Sequence, residues 1–187
     1  WNDHNGGCES FKDKIEIKQV IEDSNDKVNV DYPFYLLLSE REAKDTNDSS
    51  IISYFTYDHF TYLFMGDASK QIEKQLMATY DLKADVVKVG HHGSNTSSDS
   101  DFLDSLDCKI ALISAGYKNK YGHPSVETLK TLETLHINTL CTSDCGSIAI
   151  YSLFHLSFLV TNDGMFGIIW TWFIFYTEKT KAWFLWS

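Results

Sequence analysis

Apolar residues recur along this chain with two different periods, which predict strands and helices in alternation. Period-two alternation at 51–57 and 60–65 predicts two strands joined by a turn at Asp58 and His59. Apolar residues at helical spacing predict helices at 69–80, 98–106 and 124–135. Short apolar runs predict the remaining strands, at 15–21, 33–39, 86–89, 110–114, 137–141 and 146–152. Hairpins followed by strand–helix repeats favour an α/β sandwich of two sheets flanked by helices.

The C-terminal part of the chain is its most apolar and aromatic region. Runs at 153–160 and 166–176 are separated by Thr161-Asn162-Asp163-Gly164, which predicts a β-hairpin. The second run is too short for a membrane-spanning helix, which needs roughly 18 or more residues. We therefore divide the chain into a main domain at 1–150 and a β-rich aromatic extension at 151–187.

Composition agrees with a folded domain and restricts its partners. The 187 residues, 43% of them hydrophobic, are sufficient to bury one core. The net charge of -10 argues against tight, stable binding of nucleic acid, because phosphate contacts normally require Lys and Arg. A bound divalent cation inverts the local charge, however, so the acidity does not exclude metal-assisted cleavage of a strand.

The most informative motif is Gly90-His91-His92-Gly93-Ser94, directly after the strand predicted at 86–89. Neutral imidazole is the commonest metal ligand, and flanking glycines allow a sharp turn and a close ligand. Three other fragments point the same way: Asp3-His4-Asn5-Gly6-Gly7, Gly66-Asp67 and Tyr121-Gly122-His123-Pro124. Taken singly, each fragment has a structural explanation as a turn or helix cap. Together they supply mixed nitrogen and oxygen ligands that suit zinc or manganese.

These motifs resemble the metallo-β-lactamase-fold hydrolases, and most closely the C-terminal domain of ComEC-type DNA-uptake proteins. That group is marked by His-x-Asp-x-Asp-His-x-Gly-Gly, an Asn-x-x-Ser pair, Gly-Asp, Gly-His-His-Gly-Ser and Tyr-Gly-His-Pro, in this order. The Asn-x-x-Ser pair is Asn47 with Ser50 here, and the likeness extends from Asp3 to about Ser147. Trp1 stands where the first Asp of the opening motif belongs. We therefore expect a fragment truncated at its N-terminus, within that motif.

The resemblance implies a metallo-β-lactamase-like αββα sandwich (α/β, or α+β) with two divalent metal ions, zinc or manganese. It implies Asp3, His4, Asp67 and His91 as metal ligands, with Asp67 bridging the two ions. It also implies that Asp67, His92 and His123 are catalytic. The remaining residues, which it assigns to substrate contacts, are Ser94, Asn47 and Ser50. Lys88, Lys118 and Lys120 are further candidates for substrate contact: they either contact a phosphate or are simply solvated.

The implied function is a nuclease or phosphodiesterase that degrades one DNA strand during uptake in competence. Its partners would be single-stranded DNA and a membrane channel domain of the same polypeptide, with no small organic cofactor. The domain would then lie at the extracytoplasmic face of the bacterial cell membrane. Two alternatives stay open: a cytoplasmic metallo-hydrolase of a small ester, thioester or lactone, and a catalytically silent module. Because half of the opening motif is missing, we expect weak or single-metal binding and little activity from this chain.

Overall fold

The structure is a computed structural model that describes residues 19–21, 25–38, 47–58, 60–153, 156–161 and 171–172. Three strands come first, and strands alternate with helices after them. In chain order the elements are β1 (Phe34–Leu37), β2 (Ile52–Tyr57), β3 (Phe60–Phe64), α1 (Lys70–Thr79), β4 (Val86–Lys88), α2 (Ser100–Ser105), β5 (Ile110–Ile113), α3 (Val126–Thr134), β6 (Asn138–Cys141), α4 (Thr142–Cys145), β7 (Ile148–Leu153), β8 (Leu156–Thr161) and β9 (Thr171–Trp172). A 3₁₀ turn at Gly90–Gly93 follows β4.

The main sheet has six strands in the order β1-β2-β3-β4-β5-β6. Strands β1 to β3 are antiparallel, whereas β3 to β6 run parallel. The parallel register places Tyr62 beside Val86, and Val86 beside Ile110. Strands β7, β8 and β9 form a second, antiparallel sheet. Because β3, β4 and β5 are parallel, the loops that follow them meet at one edge of the main sheet.

The core is made where helices cover one face of the main sheet. Each buried Leu, Ile or Phe side chain contributes roughly 1.5–3 kcal/mol relative to exposure. The central members of this core are Leu63, Val87 and Ala111 from the sheet, Ile72 and Leu76 from α1, Phe102 and Leu103 from α2, and Leu132 from α3. On the opposite face, Ile150 of the second sheet packs against Tyr62, Val86 and Ile110. The layers are therefore helices, main sheet and second sheet.

Polar side chains cap the first turns of α2 and α3. The side chain of Asp99 accepts a hydrogen bond from the Asp101 amide at the start of α2. The Ser125 hydroxyl accepts one from the Thr128 amide at the start of α3. Ser69, which the sequence predicts as the N-cap of α1, occupies that position without a side-chain cap bond. These caps satisfy amides that a helix leaves unpaired at its first turn.

The mixed α/β class expected from the sequence is confirmed, and the described strands and helices lie close to their predicted bounds. The strand predicted at 15–21 lies mostly outside the described residues, and 19–21 form no strand. Helix α4 was not predicted, because four residues are too few to show helical periodicity. Strand β8 pairs antiparallel with β9, as the hairpin prediction requires. In the described ranges, no helix has the length and apolar character needed to cross a membrane.

Candidate active site

Three loops converge at the carboxyl edge of the main sheet. Gly66-Asp67 follows β3, the turn Gly90–Gly93 follows β4, and Ser114 follows β5. The His91 amide donates to the Gly66 carbonyl oxygen at 3.0 Å, which joins the first loop to the second. Nδ1 of His92 donates to the Ser114 carbonyl oxygen at 2.7 Å, which joins the second loop to the third. Backbone contacts thus fix the relative positions of both histidines and Asp67.

Asp67 and His92 face each other across this edge. Asp67 Oδ1 lies 3.6 Å from His92 Nε2, and Asp67 is only 8% exposed. Because Nδ1 of His92 carries the proton given to Ser114, Nε2 of the neutral ring is an acceptor. The space between this carboxylate oxygen and this acceptor nitrogen suits a proton or a cation.

His91 is held in one tautomer by a chain of hydroxyl groups. The Thr96 hydroxyl donates to Ser94 Oγ at 3.0 Å, so its oxygen is the acceptor for His91 Nδ1 at 3.2 Å. Nδ1 of His91 therefore carries the proton, which leaves Nε2 with its lone pair. Metal-binding histidines are usually oriented in this way, by a hydrogen bond from the other ring nitrogen. The arrangement makes His91 a suitable nitrogen ligand, and it uses Ser94 as support for the turn.

His123 completes the histidine cluster from a different loop. Its ring centroid lies 5.8 Å from that of His91. Burial lowers the pKa of His123, and the neighbouring His91 and His92 lower it further, while Asp67 opposes them. Nδ1 of His123 is buried and has no hydrogen-bond partner within the part of the chain that the structure describes. A neutral imidazole with an unused nitrogen at this place is available to a ligand.

The two adjacent histidines adopt a backbone conformation that is rare outside glycine. His91 has φ 47° and His92 has φ 55°, both in the left-handed region. Such conformations persist where surrounding contacts determine them, and they concentrate at functional sites. On one side of the pair, a Cβ added to Gly90 would lie 2.8 Å from the Ala68 carbonyl oxygen. The turn is therefore packed against the chain that follows Asp67.

The predicted Asn-Ser pair supports Asp67 from the other side. Ser50 Oγ accepts a hydrogen bond from the Asp67 amide at 2.9 Å. The Ser50 amide in turn donates to the Asn47 carbonyl oxygen at 3.0 Å, which closes a turn. A Cβ on Gly66 would approach Ser50 Cβ to 2.7 Å, so the two segments are in direct contact. In the structure this pair positions the Asp67 backbone.

Lys88 brings positive charge to the same edge. It ends β4, and burial lowers the pKa of its ammonium group while Asp67 raises it. Lys88 is partly buried where β4 ends, directly before the turn that carries His91 and His92. A lysine at this place would attract an anionic substrate.

The predicted ligands Asp3 and His4 lie outside the described residues. Within the described ranges, no group of three or more His, Cys, Asp and Glu side chains is arranged to hold a metal ion. The structure brings together Asp67, His91, His92 and His123. This edge holds one carboxylate and several imidazoles, which are residue types that zinc and manganese accept, but the described ones alone are not arranged as a ligand group.

Glu73, which sequence reasoning missed, anchors the segment after the histidine turn. This side chain of α1 is 1% exposed. Its two oxygens accept hydrogen bonds from the Ser98 and Asp99 amides, each at 2.7 Å. The neighbouring Ser97 hydroxyl donates to the Gly90 carbonyl oxygen at 2.8 Å. Burial raises the pKa of Glu73 to about 7, although both amide hydrogen bonds lower it.

We expect Glu73→Gln to remove a pH dependence of stability. Because the pKa of Glu73 is raised in the folded state, folding favours the protonated carboxyl. This contribution to stability is complete at pH values below the ordinary pKa of Glu, and it is lost as pH rises through about 7. From about pH 5 to about pH 8 the wild-type free energy of unfolding should therefore fall by roughly 2 kcal/mol relative to the variant. Urea unfolding over that pH range measures this difference.

The matched control is Glu133→Gln, because Glu133 is an exposed carboxylate on α3. This variant removes one surface carboxylate and so measures the effect of the lost charge alone. Parallel curves for wild type and Glu73→Gln would contradict the raised pKa.

Comparison with known proteins relates this chain to competence proteins. No protein-family model matches the chain. It is 36% identical over 120 residues to ComE operon protein 3 of Bacillus subtilis (strain 168), and 34% identical over 121 residues to Competence protein ComA of Neisseria gonorrhoeae. These matches cover 63% and 64% of this chain but only 16% and 17% of those proteins. A shorter match, 37% identical over 70 residues, is to Recombination protein 2 of Haemophilus influenzae, of which it covers 9%. The chain is thus related in sequence to ComEC-type competence proteins.

Proposed function

We propose that this chain is a metal-dependent phosphodiesterase or nuclease domain that cleaves single-stranded DNA during uptake in competence. The observation that carries the proposal is the convergence of Asp67, His91, His92 and His123 at one sheet edge, with Asp67 Oδ1 3.6 Å from His92 Nε2. The names of the competence relatives support the DNA-uptake context. Fold and motif order support a metallo-β-lactamase-like arrangement.

The residues that would hold the metal ions are Asp67 and His91, joined by Asp3 and His4 as the family resemblance implies. Two divalent ions, zinc or manganese, would supply a hydroxide nucleophile by lowering the pKa of bound water. The donor set suits this chemistry because Asp67 is a nearly buried carboxylate and His91 presents Nε2 as its lone-pair nitrogen. An ionised carboxylate is an acceptor at both oxygens, whereas a neutral imidazole offers one lone-pair nitrogen.

The other residues of the site act on the substrate. His92, fixed by the Ser114 carbonyl, can accept or donate a proton at Nε2 next to Asp67. Burial lowers the pKa of His123, which favours its neutral form, and an imidazole there could exchange a proton with an ester oxygen. Lys88, at the end of β4, would attract the phosphate and offset its negative charge. Together these side chains support the proposal that the site hydrolyses a phosphodiester.

We further propose that the domain acts within a larger membrane protein, at the extracytoplasmic face of the bacterial cell membrane. The matched part of the chain spans 16% and 17% of the two competence relatives named above. Its single-stranded substrate would then be delivered by a channel domain of the same polypeptide. Delivery in this way is compatible with the net charge of -10, because the domain itself need not bind DNA tightly.

Metal content and manganese-dependent cleavage of a labelled single-stranded oligonucleotide test the proposal. The assay compares the chain with a version extended upstream so that the His-x-Asp-x-Asp-His motif is complete. We expect the extended version to bind more metal and to cleave, and the 187-residue chain to show little activity. Bound metal with hydrolysis of a nitrophenyl ester or a lactone, but not of DNA, would favour the small-ester hydrolase. Neither metal nor hydrolysis would indicate a silent module.

A further inference from the structure

The loop at residues 116–122, here called the tyrosine loop, exposes two large aromatic rings beside the candidate active site. Tyr117 is 71% exposed and Tyr121 is 67% exposed. The loop sequence, Gly-Tyr-Lys-Asn-Lys-Tyr-Gly, contains two lysines and no acidic residue, in a chain whose net charge is -10. Exposed aromatic rings interleaved with cations are the combination that binds single-stranded nucleic acid.

One side chain orders the tyrosine loop. Asn119 donates from Nδ2 to the Gly116 carbonyl oxygen at 2.9 Å and to the His123 carbonyl oxygen. Its Oδ1 accepts a hydrogen bond from the His123 amide at 2.9 Å. Asn119 therefore ties both ends of the loop together and presents the tyrosines on a fixed backbone. Less conformational freedom is then lost when a ligand binds.

The tyrosine loop is continuous with the histidine cluster. The rings of Tyr121 and His123 are stacked, with centroids 5.9 Å apart and planes 16° from parallel. The His123 ring is in turn 5.8 Å from that of His91. A chain of rings thus leads from the protein surface to the candidate active site, and a base stacked on Tyr121 would place its backbone near His123.

The two lysines of the loop lie beside the tyrosine rings, from where each can turn to a phosphate instead. Lys118 Nζ lies 5.2 Å from the Tyr117 ring centroid, and Lys120 Nζ lies 4.8 Å from that of Tyr121. Stacking of a nucleic-acid base on an aromatic side chain is stronger than a cation–π contact at an exposed site. A base can therefore displace each ammonium group, which then reaches an adjacent phosphate.

We propose that the tyrosine loop is a binding platform for single-stranded DNA, with bases stacked on Tyr117 and Tyr121 and phosphates held by Lys118 and Lys120. The inference rests on the proposed function and specifies how that site receives its substrate. Single strands are preferred over duplexes, because only unpaired bases offer free faces for stacking. Recognition is tolerant of sequence, since every base has such a face.

Photocrosslinking tests where the strand lies. The probe is an oligothymidylate that carries 5-iodouracil, irradiated with the full chain in EDTA so that metal-dependent cleavage does not occur. We expect peptide mass spectrometry to place the crosslinks on Tyr117 or Tyr121. Crosslinks confined to other residues, or no crosslink at all, would overturn the proposal.

Binding measurements separate stacking from other roles of the tyrosines. In fluorescence anisotropy with the same oligothymidylate, Tyr117→Ala and Tyr121→Ala should each weaken binding by roughly tenfold. Tyr121→Phe should retain wild-type affinity, because stacking needs the ring and not the hydroxyl. Tyr35→Ala is the matched control, as Tyr35 is a 57% exposed tyrosine on β1, and its affinity should be unchanged. Unchanged affinity of both loop variants, or equal binding of a duplex, would refute the platform.

The experiments separate failure of the binding platform from failure of the proposed hydrolase function. If the platform is correct and the hydrolase proposal is wrong, the loop variants lose affinity although no version of the chain cleaves DNA. If the hydrolase proposal is correct and the platform is wrong, the extended version cleaves and its KM is unaffected by Tyr117→Ala and Tyr121→Ala.

Discussion

Asp67→Asn is expected to lower the rate of single-stranded DNA cleavage by roughly a thousandfold in a version of the chain that cleaves. The substitution preserves the shape of the side chain but removes the negative charge that faces His92 Nε2 at 3.6 Å. It also removes the carboxylate that can bridge two cations, so metal content should fall together with the rate. Initial rates on a labelled oligonucleotide with manganese, together with metal analysis of the purified protein, measure both effects.

Asp101→Asn is the control, because this exposed carboxylate lies in the first turn of α2 and outside the candidate site. Its cleavage rate and metal content should match those of wild type. Thermal unfolding of both variants shows whether either change acts through the fold. An Asp67→Asn variant that is folded and retains more than about a tenth of the wild-type rate would refute the assigned role of Asp67.

Gly93→Ala is expected to lower the free energy of unfolding by roughly 3 kcal/mol. Gly93 has φ +78°, a conformation that alanine adopts only with strain. The added Cβ would also lie 2.8 Å from Pro124 Cβ and 3.2 Å from Pro124 Cα. Because the Ser125 amide donates to the Gly93 carbonyl oxygen at 2.8 Å, relief of this clash separates the histidine turn from the loop that carries His123. Urea unfolding measures the change.

Gly122→Ala separates the two causes of this destabilisation. Gly122 also has a positive φ, +69°, but an added Cβ would meet nothing within 4 Å. The variant should therefore show the backbone strain alone, about 1 kcal/mol. Equal losses of stability in Gly93→Ala and Gly122→Ala would show that the contact with Pro124 does not restrain the turn.

Much of the fold could be predicted from local sequence. Strand β3 follows from the alternation at 60–65, and helix α1 follows from the helical spacing at 69–80. Each of these patterns is visible within a short stretch of sequence, so no distant contact is needed to predict it. The histidine turn was predicted at the end of β4 because a buried apolar run is followed directly by a glycine. Because β3, β4 and β5 are parallel, the motifs that follow these strands then meet at one edge of the main sheet.

The supports of the site were not predicted, because they join residues that are far apart in the sequence. Glu73 contacts the Ser98 amide across 25 positions, and His92 reaches the Ser114 carbonyl across 22. One local signal for Glu73 exists: it lies three residues before Leu76, at the margin of the inward face of α1, where a carboxylate needs partners. Nothing local indicates that Thr96 fixes the His91 tautomer, since that contact requires the turn to be folded.

The double attachment made by Asn119 separates the backbone of the tyrosine loop from the choice of side chain at position 117. Because the Asn119 side chain bonds to the backbone at Gly116 and at His123, a new side chain at 117 leaves these bonds in place, whereas one at 121 also removes the ring that is stacked on His123. The preference for particular bases can therefore diverge among relatives, or be redesigned in the laboratory, by substitution at 117 on an unchanged loop backbone. A library of such variants would differ in ligand binding while the residues around Asp67 stay the same.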